Sequence, residues 1–370
     1  MERPVETLHD EMIRRLVDEG YLVIRRVEDA FRTVRRDFFL PSVPLEVVYS
    51  GEAVITRRGP DGAPTSSSSM PAIMAVMLEQ LDVQPGQRVL EIGAGTGYNA
   101  ALLAVLAQSN GEITTIDIDE EIVREARQHL NTAGHHGVRT VVGDGWVGVP
   151  EHAPYDRIEA TVGVWDLSPF WVAQLVNDGL VVIPLWIGPG VQMSVAFRKN
   201  GERLRSVTVR PCGFMRLRGP HAGPENYATV NGWTVSLDGP DPARLSLLAS
   251  LLKTEPRVEQ TPHIPKGWGM RLALEDPRTI YLSRTDNWRD ASYGTLDVLH
   301  QSLALICDNA IYTFGTDAAR DILLGRLETS RPLELRWLTI EAIPSTAPTG
   351  ADVGTVIRRP NFQFVIEGGA

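Results

Sequence analysis

The residues best suited to chemistry in this 370-residue chain stand in VLEIGAGTGYNAALLA, positions 89 to 104. Glycines at 93, 95 and 97 let a backbone turn sharply after a strand and approach a ligand closely, while the following helix points its N-terminus at that ligand. This is a nucleotide-type cofactor loop, with Glu91, Gly93, Ala94, Gly95 and Gly97 as its candidate binding residues. It is not the dinucleotide fingerprint, which wants glycine where Tyr98 stands, nor a P-loop, since no Gly-Lys-Ser/Thr follows. Two downstream carboxylates extend the pattern. Asp117 ends a predicted strand about twenty residues beyond the loop, where a carboxylate accepts from ribose hydroxyls. Asp144, followed by Gly145 in VVGDGW, is placed to accept from an exocyclic amine such as that of adenine. Each alone is equally a helix cap or a turn residue. Together with Glu91 and the loop they form one ligand surface at the carboxyl edge of a sheet.

The elements that must position these residues alternate. QRVLEI, EITTIDI, GVRTVVGD, YDRIEATV and GLVVIPLWI read as strands, with helices at GYNAALLAVLAQ and EEIVREARQHL between them. That alternation predicts an α/β protein with a doubly wound, Rossmann-like parallel sheet. Upstream, residues 6 to about 40 have helical spacing, residues 41 to 65 read as a loop or short hairpin, and a helix beginning at Pro71 is broken by Pro85-Gly86. GPHAGPENY marks a boundary, so the expected organisation is a domain over 1–219 and a smaller C-terminal α+β domain over 220–370.

Composition excludes several classes. A net charge of -10 opposes a general nucleic-acid binder. No apolar run approaches the ~20 residues that span a bilayer, and the first residues lack the apolar core of a signal peptide. Two cysteines, Cys212 and Cys307, rule out a disulfide framework and point to a reducing cytoplasm. The eight histidines show no metal-ligand spacing, and after the fourth strand EATVGVW stands where an amino-methyltransferase of nucleic acids carries Asn/Asp-Pro-Pro-aromatic.

The run APTSSSSMP, positions 63 to 71, reads on its own as a solvated linker. A resemblance changes that reading. VLEIGAGTGYNAALLA, TTID, VVGDGWVGVPEHAPYDRIEATVG and LVNDGLVVIPL resemble the protein-L-isoaspartate O-methyltransferases, from RRDFFLP to about CGFMRLRG near 219. The resemblance implies a class I methyltransferase sheet, S-adenosylmethionine as cofactor, and a peptide or protein substrate bearing Asp or isoaspartate, with neither nucleic acid nor membrane as partner. It also places Ser69 at the family's substrate-holding serine and Ser67 at its threonine, making Ser67, Ser68 and Ser69 the candidate catalytic residues. Met70 departs from the family's usual Gln, and Ser68 from its Ile. Extended family members occur among enzymes that tailor ribosomally made peptides, methylating an Asp that then closes to a succinimide and opens to isoaspartate. The altered serine segment and the C-terminal domain lean that way; general isoaspartyl repair is the alternative, and a noncatalytic donor-binding module a third.

Overall fold

The alternation of apolar strands and helices dictates what packs where. In the computed structural model, which describes residues 3–368 except 61, 226, 239–240, 262–263, 266, 285–290, 308, 330–332 and 350–353, the strand Arg88–Ile92 (β3, after the hairpin Val54–Arg58, β1, and Pro64–Ser68, β2) is buried at four of five positions. Burial on both faces is the signature of a central parallel strand. Glu112–Asp117 (β4) and Arg139–Val142 (β5) lie to one side of it, and Tyr155–Ala160 (β6) and Leu175–Gly188 (β7) to the other, all parallel. The strand order reverses between β3 and β6, which opens a crevice at their carboxyl ends. The α/β doubly wound expectation is met.

The helices show the matching pattern. Tyr98–Ala107 buries eight of its ten residues, because it is enclosed by the sheet on one side and the N-terminal helices Val5–Asp18 and Arg25–Thr33 on the other. Phe31 and Phe39 reach its Tyr98 ring at centroid distances of 6.3 and 5.4 Å. Pro71–Leu81 starts on its proline, whose fixed φ suits the first helical turn, and ends at Asp82 in a left-handed conformation.

Beyond β7 the sheet turns antiparallel through Val191–Asn200 (β8) and Arg203–Pro211 (β9). Residues 227–315 contribute a separate seven-stranded sheet, antiparallel in every pairing, with helices Pro242–Leu251, Trp268–Glu275 and Ala318–Thr329 packed on it. This is the α+β layer that the sequence leads one to expect. The last strands behave differently. Leu338–Pro344 pairs with β9 through Glu341↔Arg205 and Ala342↔Leu204, and Phe362–Gly368 and Thr355–Arg358 follow it, so the methyltransferase sheet runs to ten strands. The side chains of Ile340, Phe362, Phe364 and Ile366 share one core with Leu90, Ile158 and Val195. Where the sequence suggests that everything after 219 forms its own domain, the chain instead returns to close the free edge of the first sheet, burying the apolar face of these strands.

Candidate active site

At the β3/β6 crevice lies a cavity of about 670 Å³. The loop after β3 enters it with Gly93 at φ 103° and Gly95 at φ 50°, conformations that favour glycine. A Cβ on Gly93 would lie 2.8 Å from Thr161 Oγ1, whose hydroxyl donates to the carbonyls of Ile92 and Gly93 at 3.1 and 2.8 Å. A Cβ on Gly95 would stand 3.4 Å from the carbonyl of Ser67. Glycine here therefore keeps the loop low and the cradle open. Gly97 caps the next helix, and Ala94 is buried within the turn.

Asp117 sits at the end of β4 with its side chain 10% exposed, accepting from Gly95 N at 3.4 Å and from Arg218 at 3.1 Å. Loop and carboxylate are thus in contact, as their spacing suggests. Asp144 is used differently: its Oδ1 accepts from Trp146 N at 2.9 Å, which is the turn role left open for it, and it stands outside the cavity lining while Gly145 is part of that lining. Gly145 is held by Trp171, whose indole donates to its carbonyl at 2.8 Å, and a Cβ there would meet Ile92 at 2.6 Å. Glu91 is fully buried beneath the loop, with both oxygens accepting from Asn99 and Thr115. It supports the loop from the cavity floor.

The four serines form no linker. Ser66, Ser67 and Ser68 end strand β2, paired antiparallel to β1 with Ser67 opposite Ile55 and Ser68 opposite Val54, and Ser69 follows directly after it. The two-residue alternation of a strand sorts them. Ser66 and Ser68 are buried and engaged: Ser66 Oγ accepts from Thr56, and Ser68 Oγ from Arg36 at 3.3 Å. Ser67 and Ser69 are half-buried cavity residues whose hydroxyls have no hydrogen-bond partner among the described residues. The structure therefore brings all four serines to the cavity with the glycine loop; the hydroxyls of Ser67 and Ser69 stand without a partner, while Ser68 Oγ accepts from Arg36. That arginine, the second of RRDFFLP, is 0% exposed and spans to the carbonyls of Val48, Glu52 and Ser69 at 2.8, 3.2 and 2.9 Å. Burial pulls its pKa below the ordinary guanidinium value.

Four site residues escaped the sequence reading: Asn99, Glu159, Thr161 and Arg218. Glu159 carried a signal, a carboxylate set between the apolar Ile158 and Ala160 of the strand YDRIEATV. The others are common residue types whose role only their neighbours reveal.

S-adenosylmethionine, the cofactor implied by the resemblance, fits this donor set. The glycine cradle that a Cβ would fill, the Asp117 carboxylate beside it and the glycine at 145 offer close backbone approach, an acceptor for sugar hydroxyls and a wall for a base. The cavity volume lies within the range of small-molecule sites.

Residues 6–220 match the protein-L-isoaspartate(D-aspartate) O-methyltransferase (PCMT) family. The chain is 33% identical over 207 residues to the protein-L-isoaspartate O-methyltransferase of Ignicoccus hospitalis, spanning 56% of this chain and 95% of that one. It is 38% identical over 166 residues to the enzyme of the same name from Thermotoga maritima, spanning 45% of this chain and 52% of that one. A solved structure of a protein-L-isoaspartate O-methyltransferase shares the fold over 97% of this chain and 99% of its own, at a TM-score of 0.56 and 23% identity. Cradle, acceptor carboxylate and sequence agree: the chain belongs to the protein-L-isoaspartate O-methyltransferase family, enzymes that use S-adenosylmethionine to methylate (iso)aspartyl carboxylates.

Proposed function

We propose that this chain methylates the free carboxylate of isoaspartyl residues in peptides and proteins, the reaction that starts their repair. The observation that carries the reading is the composition of the cavity wall: among the described residues it is built from positions 21 to 218 alone, and the C-terminal layer contributes nothing to it. The fold of a solved family member also extends over nearly this whole chain, so the added strands do not by themselves call for a dedicated precursor.

The chemistry asks little of the protein. S-adenosylmethionine supplies, when bound, a methyl group activated by its sulfonium. A substrate carboxylate is ionised at neutral pH and needs no general base. Ser69 and Ser67 donate their hydroxyls to that carboxylate and fix the attacking oxygen, while Met74, Met77 and Phe214 in the cavity wall exclude water around it. Arg36 holds the carbonyl of Ser69 and so sets the height of the serine strand. Asp117 and the loop from Gly93 to Gly97 hold the donor's nucleoside, with Gly145 beside its base. In the ester product the following backbone nitrogen attacks the carbonyl carbon, methanol leaves, and water opens the resulting succinimide to aspartyl and isoaspartyl peptides. A cytoplasmic setting agrees with two cysteines in 370 residues, and no helix among the described residues is long and apolar enough to cross a membrane.

One observation favours the tailoring of a dedicated Asp-containing peptide as a second reading: the serine-rich wall ends in Met70, 40% exposed at the cavity, in place of the family's Gln. Mass spectrometry decides between the two. Purified enzyme is given S-adenosylmethionine with a generic isoaspartyl peptide, its aspartyl twin, and a cyclised Asp peptide. Repair predicts methylation of the isoaspartyl peptide far above its twin. A preference for the cyclised Asp peptide would overturn it.

A further inference from the structure

Three arginines line the cavity, and they are not alike. Arg218 is tied to Asp117 at 3.1 Å and stands 3.6 Å from Asp119, and Arg216 is tied to Glu225 at 3.1 Å and to the carbonyl of Pro224 at 2.7 Å. Arg210, at the end of β9, has no acidic partner among the described residues. Its guanidinium donates only to the carbonyl of the preceding Val209, at 3.2 Å. The carboxylates that line the cavity, Glu91, Asp117 and Glu159, all stand on β3, β4 and β6 at the donor loop, so none offsets this charge at the mouth.

The strand places Arg210 on the substrate side. Thr208, two residues earlier and hence on the same face of β9, accepts at its Oγ1 from Gln80 of helix Pro71–Leu81 at 2.9 Å. From Gln80 that helix leads back through Val76 and Ile73, both in the cavity wall, to Met70 and the serines. The surfaces that share the mouth are apolar: Tyr21, Ile55 and Met70 are 38, 44 and 40% exposed there. An exposed arginine among apolar side chains offers a planar, bidentate donor to one chemical group above others, a carboxylate.

The wall that carries Arg210 is held firmly. Gln192 of β8, 4% exposed, accepts from Phe214 N at 2.5 Å and donates to the Phe214 carbonyl at 3.3 Å, while its own carbonyl accepts from Cys212 N at 3.1 Å. The chain from Arg210 to Phe214 is thereby fixed against β8. The serines that hold the reacting carboxylate lie on the other wall and are half-buried, whereas Arg210 is exposed at the rim.

We propose that Arg210 is a specificity-determining residue that pairs with an acidic side chain flanking the isoaspartyl residue, so that sites in acidic sequence are the favoured substrates. The inference rests on the methylation of isoaspartyl peptides proposed above, and it adds no bond change to that reaction.

The test uses the full chain, S-adenosylmethionine and isoaspartyl peptides that differ only in carrying Glu, Gln or Lys at each flanking position in turn. At one or more of these positions wild type is expected to show a KM roughly two- to fivefold lower for Glu than for Gln, and higher again for Lys, with kcat little changed among the three. In Arg210→Gln the ratio of Glu to Gln should fall to about one, and in Arg210→Glu the order should invert in favour of Lys. A merely structural role for Arg210 would move all three peptides together and could not invert their order. Equal KM for the three peptides in wild type at every position, or a preference for Glu that survives in folded Arg210→Glu, would overturn the inference while leaving the methylation of isoaspartyl peptides standing. Methylation of none of the peptides would strike the proposed function and this inference with it. The wild-type series decides even if a variant fails to fold.

Discussion

Replacing Arg36 with methionine tests how the serine wall is held in place. The guanidinium donates to the carbonyls of Val48, Glu52 and Ser69 and to the hydroxyl of Ser68, and methionine keeps the stem while deleting all of these donors. Glu52 is exposed and Ser69 half-buried, so water replaces the lost donor there. Val48 and Ser68 are 0% and 3% exposed, and their acceptors are orphaned. Two orphaned acceptors at about 1–3 kcal/mol each give about 2–6 kcal/mol, and relief of the guanidinium's own desolvation trims the upper end, leaving about 2–4 kcal/mol of lost stability. The neighbouring Arg35→Met is the control. Its bidentate pair with Asp37 is 35% exposed on the arginine side, so its loss is expected to cost less than about 1 kcal/mol. Urea unfolding measures both as a shift in midpoint at constant slope. Because Arg36 also sets the position of Ser69, the same variant is expected to raise KM for the peptide while leaving donor affinity close to wild type. A cost for Arg36→Met no larger than that of Arg35→Met would refute the idea that this arginine pins the strand.

Asp117→Ala removes the carboxylate expected to accept from the donor's sugar and should weaken donor binding by about 1–3 kcal/mol, roughly 5- to 150-fold by calorimetry; wild-type affinity would exclude Asp117 from the donor site. Ser69→Ala should lower kcat about tenfold or more at unchanged donor affinity, whereas Ser68→Ala, whose hydroxyl serves Arg36, should act mainly on stability; equal kinetic effects of the two would mean that the strand alternation does not sort their roles. A chain ending at Gly219 loses the three strands that cover β9 and share its core, so it should aggregate on size-exclusion chromatography and fail to bind donor. A soluble, donor-binding fragment would show that these strands are dispensable.

Local chemistry alone determined the glycine loop, the acidic residue on the next strand and the alternation that builds a parallel sheet. Each is a short-range property: positive φ at Gly93 and Gly95 favours glycine, and a strand buried on both faces is mostly apolar, as Val89, Leu90 and Ile92 are. The same locality explains what escaped. An apolar strand such as LTIEAIP announces that it will be buried, but nothing in it says that it pairs with Arg203–Pro211 more than a hundred residues earlier, and so the return of the C-terminal strands to the first sheet was decided by which edge remained open. In the serine run, residue type is constant and carries no information about direction. The pleat, fixed by pairing with Val54–Arg58, buried Ser66 and Ser68, the latter against Arg36, and left Ser67 half-buried at the cavity. Glu91 and Glu159 stand 68 positions apart in the chain and became one site only when parallel pairing set them in register, with Asn99 between them.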